Sequence, residues 1–220
     1  PAVMPEPSES TMERLRTLYA EDAFLGARLE QALMANKMVE QNGMTASRRR
    51  GQNISVLADA AASFMAAASG PSIAVLENNG WDTHANQGTS QGQLAGKFRE
   101  LDRSLAQLKA GLGDTWNNTV VAVVTEFGRT AAVNGTQGTD HGTGGIAFLL
   151  GGAVNGGRIH GQWPGLAEGN LYQGRDLLPT TDMRSLFKTV LRDHLQISQD
   201  SIESELFPNS GVAGYLDNLI

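Results

Sequence analysis

Leu15, Leu18, Leu25, Leu29 and Leu33 recur at helical spacing along the first part of the chain, and Ser10 followed by Glu13 has the form of a capping box. The pattern predicts a helix from residue 10 to a stop at Asn42-Gly43, preceded by a proline-punctuated irregular arm over residues 1–9. A second helix is expected over residues 53–69, with Ile54, Leu57, Ala61, Phe64 and Met65 on one face and Gly70-Pro71 ending it. The intervening Arg48-Arg49-Arg50 reads as a solvated connection. The period then changes. Residues 73–76 form a short apolar run that looks like a buried strand and opens into a loop ending Trp81-Asp82-Thr83-His84. Leu94, Phe98, Leu101, Leu105, Leu108 and Leu112 mark another helix, and the β-branched run over residues 119–125 marks a strand. Residues 130–145 are rich in Gly, Thr and Asn with no helical period. Residues 146–150 read as a third strand, 158–163 as a short strand or hairpin, and Thr181 or Asp182 as the cap of a last helix carrying Met183, Leu186, Phe187, Val190 and Leu191.

Helices before and between buried strands predict a single α/β domain over residues 1–220: an arm (1–9), a helical part (10–69), and a sheet-bearing part with the candidate site (70–220). Because a helix of crossover length joins the first two strands, they are expected to lie parallel in a central, mostly parallel sheet with helices on both faces. The third strand, reached without a helix, is expected to run back antiparallel. That topology would place Asp82, His84, Glu126, Asp140 and His141 at one edge of the sheet, where ligands of open α/β sheets bind.

Charge and composition narrow the chemistry. The 220 residues carry 17 Lys and Arg against 23 Asp and Glu, a net charge of −6, which argues against a nucleic-acid partner. The apolar runs are far short of the roughly 20 residues that span a bilayer. Cysteine is absent, so any metal must be held by imidazole and carboxylate, and only four histidines exist to do it. Taken singly, Asp82 could shape a turn, His84 could be a bonded loop histidine, Glu126 could pair with Arg129, and Asp140 could form a turn. Two histidines each near an aspartate, converging from separate loops, favour a site. Its ligand types favour zinc, manganese or iron over magnesium or calcium. Arg129 is placed to contact a substrate anion. His160 and His194 read as structural, and neither a Walker loop nor a nucleophile elbow occurs.

Four ordered runs, GWDTHANQ (80–87), VVTEFGRT (123–130), GTDHG (138–142) and LLGGAVNGGRIHG (149–161), resemble the bacterial domain-of-unknown-function (DUF) 1501 family over about residues 50–195. The resemblance is to the C-terminal half of a longer member. It implies export through a twin-arginine signal and distant kinship with the alkaline phosphatase and sulfatase superfamily, hence an alkaline-phosphatase-like fold with a metal site at one sheet edge. In that superfamily's pattern Asp82, His84 and His141 stand as ligands, whereas an expected Asp-His pair reads Glu126-Phe127. The usual nucleophile comes from a segment earlier than Ile73, and Thr83 is a poor substitute. The expectation is an exported metal-dependent hydrolase-like protein acting on a small phosphate or sulfate ester, the C-terminal portion of a longer chain. The alternative is a non-catalytic extracytoplasmic binding or assembly module.

Overall fold

The computed structural model describes residues 8–41 and 53–220. The arm at residues 1–7, the stop at Asn42-Gly43 and the Arg48-Arg49-Arg50 connection lie outside the described residues. The single N-terminal helix expected from the leucine stripe is two helices, α1 (Glu9–Tyr19) and α2 (Ala23–Gln41). The stripe crosses the break because leucine spacing does not register a cap. Asp22 Oδ1 accepts from the amides of Phe24 and Leu25 at 3.0 and 2.9 Å and starts α2 afresh. The N-cap of α1 is Ser8, which accepts from the Thr11 amide, rather than Ser10.

Helix α3 (Ile54–Ala66) begins where its sequence indicates, with Asn53 Oδ1 accepting from the Ser55 amide at 2.9 Å. It packs against α4 (Gln93–Leu112) through a core of Ala58, Ala61, Ala62, Leu108 and Leu112, flanked by Met65, Trp116 and Val121. Small residues let the helices approach closely: a Cβ at Gly111 would lie 2.7 Å from that of Ala62. A 3₁₀ segment, Gly113–Asn118, turns α4 into the first strand.

Among the described residues the central parallel sheet does not form. The described residues contain two separate two-stranded antiparallel sheets, β1 (Val121–Val123) with β4 (Phe148–Leu150), and β2 (Gly128–Arg129) with β3 (His141–Gly142). The expected return of the 146–150 segment antiparallel to the 119–125 segment is present, in the register Val121 to Leu150. The parallel neighbour is not. Residues 73–76 make no ladder, and Ile73 and Val75 are 63% and 92% exposed. An apolar run reports a preference for burial, but a strand also needs a partner for its amides, and none is supplied. The alkaline-phosphatase-like sheet is therefore absent, and α4, instead of covering a sheet as a crossover, packs chiefly on α3. Residues 158–163 likewise form no strand.

Helix α5 (Met183–Asp193) is capped by Asp182, whose Oδ1 accepts from the Arg184 amide at 2.8 Å. Its buried face departs from the apolar reading: Met183 is exposed, while Ser185, Leu186, Lys188 and Thr189 are buried. Lys188, 1% exposed, donates to the carbonyls of Ala213 and Ser210 at 2.6 and 3.3 Å and pairs with Glu203 Oε1 at 2.6 Å. The Tyr215 hydroxyl donates to the same Glu203 oxygen, and the Leu216 amide to Thr189 Oγ1. This network fastens the last residues of the chain to α5.

Candidate metal centre

Two loops meet to make the site. The first, residues 81–91, follows the unpaired apolar run. The second, residues 130–140, joins β2 to β3. Polar bonds stitch them together: the amides of Asn86 and Gln87 donate to the carbonyls of Thr136 and Gln137, and the Thr139 amide donates to Thr83 O. The Gln87 carboxamide oxygen accepts from the hydroxyls of Thr83 and Thr139 at 2.9 and 2.8 Å. Gly138 is where the backbones touch, since a Cβ there would lie 2.2 Å from the carbonyl carbon of His84. The β2–β3 register sets Arg129 opposite His141.

The stitched loops bring Asp82, His84, Arg129, Asp140 and His141 together. Asp82 Oδ1 receives three groups, each at 2.8 Å: Nε2 of His84, Nε2 of His141 and Nη2 of Arg129. His84 turns its other nitrogen, Nδ1, to Asp140 Oδ1 at 3.2 Å. The hydrogen bond from His141, joined by that from Arg129 and the charges of both imidazoles, outweighs desolvation and holds the Asp82 carboxyl below its ordinary value. Asp140 is held low first by the Asn134 amide and then by His84. Glu126 is exposed and is not among the grouped ligand atoms. It lies beyond the end of β1, which stops at Val123.

The ligand atoms of Asp82, His84 and His141 lie within 4.8 Å of one another. The donor chemistry fits a cation. A carboxylate only accepts, so the contact of Nδ1 with Asp140 calls for a proton on Nδ1. A neutral imidazole has no second proton, which leaves the Nε2 lone pair facing the Asp82 oxygen. A ring protonated on both nitrogens satisfies Asp140 and Asp82 together at these distances; with Nε2 unprotonated, its lone pair and the Asp82 oxygen repel unless they move apart to share a cation. Two imidazoles and one carboxylate, with room left for solvent, are a ligand set for zinc, manganese or iron.

Neighbouring side chains have defined tasks. Phe127 stacks on the His141 ring at 4.5 Å, and the Arg129 guanidinium lies over its ring. Arg129 also donates to the carbonyls of Trp81 and Thr139 at 2.7 and 2.8 Å, so it ties the two loops as well as pairing with Asp82. Thr83 is buried. Two grooves on the helices are lined by other residues, one between α3 and α4 and one at the α1–α2 turn. His160 is exposed in an irregular segment, and His194 forms the C-cap of α5. Sequence reasoning did not single out Asn134, Thr136 or Gln87. The Asn134-Gly135 dipeptide is a turn signal that marks the first of them.

No curated protein and no solved structure matches the chain. The kinship with alkaline phosphatases and sulfatases therefore finds no support among known proteins. A family profile described as protein of unknown function (DUF1501) does match, over residues 3–206, nearly the whole sequence. The chain belongs to the DUF1501 family.

Proposed function

We propose that this chain holds a divalent transition metal through Asp82, His84 and His141 and serves as an exported metal-dependent hydrolase-like protein for a small phosphate or sulfate ester. The observation that carries the reading is His84 set between two carboxylates, Asp140 on Nδ1 and Asp82 at Nε2, with His141 aimed at the same Asp82 oxygen. When bound, such an ion polarises an ester oxygen and makes water more acidic. The chain's own contribution is to fix the ligands. Asp140 holds the His84 ring, Phe127 braces His141, and His141 followed by Arg129 keeps Asp82 ionised. Arg129 retains Nε–H and one Nη1–H beyond its bonds to Thr139, Trp81 and Asp82, and these are the donors available to an anion's oxygens.

A second reading, a binding or assembly module on the same scaffold, is favoured by one observation. Thr83, the hydroxyl nearest in sequence to the ligands, is buried and donates to Gln87, so it is not free to act as a nucleophile. Metal analysis of protein purified without chelator, together with hydrolysis of p-nitrophenyl phosphate and p-nitrophenyl sulfate, separates the readings. The hydrolase reading expects about one equivalent of metal and turnover lost in His141→Ala. Turnover overturns the module, and absence of metal together with no thermal shift on adding Zn²⁺ overturns the hydrolase reading and leaves the module, which needs neither histidine. Recovery of the protein in the exported fraction of its host tests the location.

A further inference from the structure

Asn134 lies in neither expected ligand group, yet both ends of its side chain are engaged. Nδ2 donates to Asp140 Oδ1 at 2.9 Å and to the His84 carbonyl at 3.0 Å. Oδ1 accepts from the amides of Thr136 and Gly138 at 3.0 and 2.9 Å. The orientation of the amide is thus determined by its surroundings, with donors on one side and acceptors on the other. Asp140 Oδ1 in turn faces Nδ1 of His84. The relay runs from a backbone turn, through an amide, to a carboxylate and onto the far side of an imidazole whose near side meets Asp82.

We propose that Asn134 is the positioning residue of the metal centre: by orienting Asp140 against Nδ1 of His84, it fixes the tautomer that presents Nε2 as a lone pair to the ion. The proposal rests on the metal-binding reading above. The two acceptors aligned by Nδ2, one on the ring's carboxylate partner and one on the ring's own backbone, restrict both the pivot and the tip of His84. Asn134 touches no ligand atom, and its effect on the metal passes through Asp140 and the His84 backbone. Outer partners of metal-bound histidines typically change metal affinity by about 10- to 100-fold.

The discriminating variant is Asn134→Asp. It retains an oxygen to accept from Thr136 and Gly138 but loses both Nδ2–H donors and sets a second carboxylate against Asp140. Thr136→Val is the control: its hydroxyl bonds the His84 carbonyl at 2.7 Å and Asn134 Oδ1 at 2.9 Å, but its removal leaves both Nδ2–H donors of Asn134 and the Asp140–His84 pair in place. Co²⁺ titration of the full chain, read by visible absorption, should show Asn134→Asp weakened about 10- to 100-fold and Thr136→Val close to wild type. Both should reach the same spectrum at saturation. In the Zn²⁺-loaded protein, the slowly exchanging Nδ1–H resonance of His84 should be present in the wild type and lost in Asn134→Asp. Asn134→Ser gives the same two readouts if Asn134→Asp does not fold, since a serine hydroxyl can still accept within the turn but is too short to donate to Asp140. Equal affinity loss in Asn134→Asp and Thr136→Val, or an unchanged Nδ1–H resonance in the weakened variant, overturns the positioning role. Failure of the wild type to take Co²⁺ overturns the underlying metal site instead.

Discussion

The chain gathers charge in two places, and the two are built to different ends. Around Lys188 the ammonium is buried and faces Glu203 and the carbonyls of Ser210 and Ala213. Around Asp82 one carboxylate oxygen faces two imidazoles and a guanidinium, in side chains that are about half-exposed apart from Arg129. The first cluster is saturated by protein atoms and needs nothing further. The second gathers two imidazole nitrogens, a guanidinium and a carboxylate at one point with solvent access. A satisfied charge cluster is structural; a convergent one is an invitation to a ligand.

That contrast can be broken most forcefully at Lys188. Replacing it in Lys188→Ala leaves the Ser210 and Ala213 carbonyls without their buried donor and frees Glu203. The expected loss of stability is on the order of 3 kcal/mol, measured by urea denaturation and not recovered by any metal. The opposite cluster should respond in the opposite way. Zn²⁺ at about 100 times its dissociation constant should stabilise the wild type by roughly 2.7 kcal/mol and His84→Ala not at all. Rescue of Lys188→Ala by Zn²⁺, or Zn²⁺ stabilisation of His84→Ala, would erase the distinction.

Acid gives the smallest effect. Glu203 is held below its ordinary value of 4.5, first by the hydrogen bond from Lys188. Its contribution to stability is therefore complete above the unfolded-state value and is lost as pH falls through the depressed folded value. A melting-temperature series from about pH 6 down to about pH 3 should fall at the acid end in the wild type, with a shallower fall in Glu203→Gln. Identical slopes would show that the pair adds nothing to acid stability.

Helices were the legible part of the fold because their signals are local. The start of α3 at residue 53 could be read, as could Thr181 or Asp182 as the cap of α5 and the leucines of α4 as a stripe. The break at Asp22 escaped because it does not disturb that stripe. Strands were poorly legible because pairing is decided elsewhere in the chain: residues 73–76 have the composition of a strand and no ladder. Lys188 escaped because a lysine on an amphipathic helix ordinarily belongs to the wet face. The site presents a sharper lesson. Its histidines and aspartates stood out through scarcity and adjacency, and a parallel sheet was expected to assemble them. The structure assembles them instead by stitching two loops, for which the sequence signs are the Asn-Gly turn and the glycine at position 138. Glu126, included by its place after a strand, stays outside because no such bond draws it in.

The separations along the chain give this stitching a consequence in chain entropy. Lys188 reaches partners 22 and 25 residues away, whereas His141 and Asp82 are 59 residues apart and His84 and Asp140 are 56. Closing the larger loops costs more chain entropy before any contact offsets it. The C-terminal clasp closes the shorter loops, whereas the site residues come together only where two loops distant in sequence meet at Gly138. The geometry of the candidate site therefore hangs on contacts that span more than twice as much chain as those of the clasp.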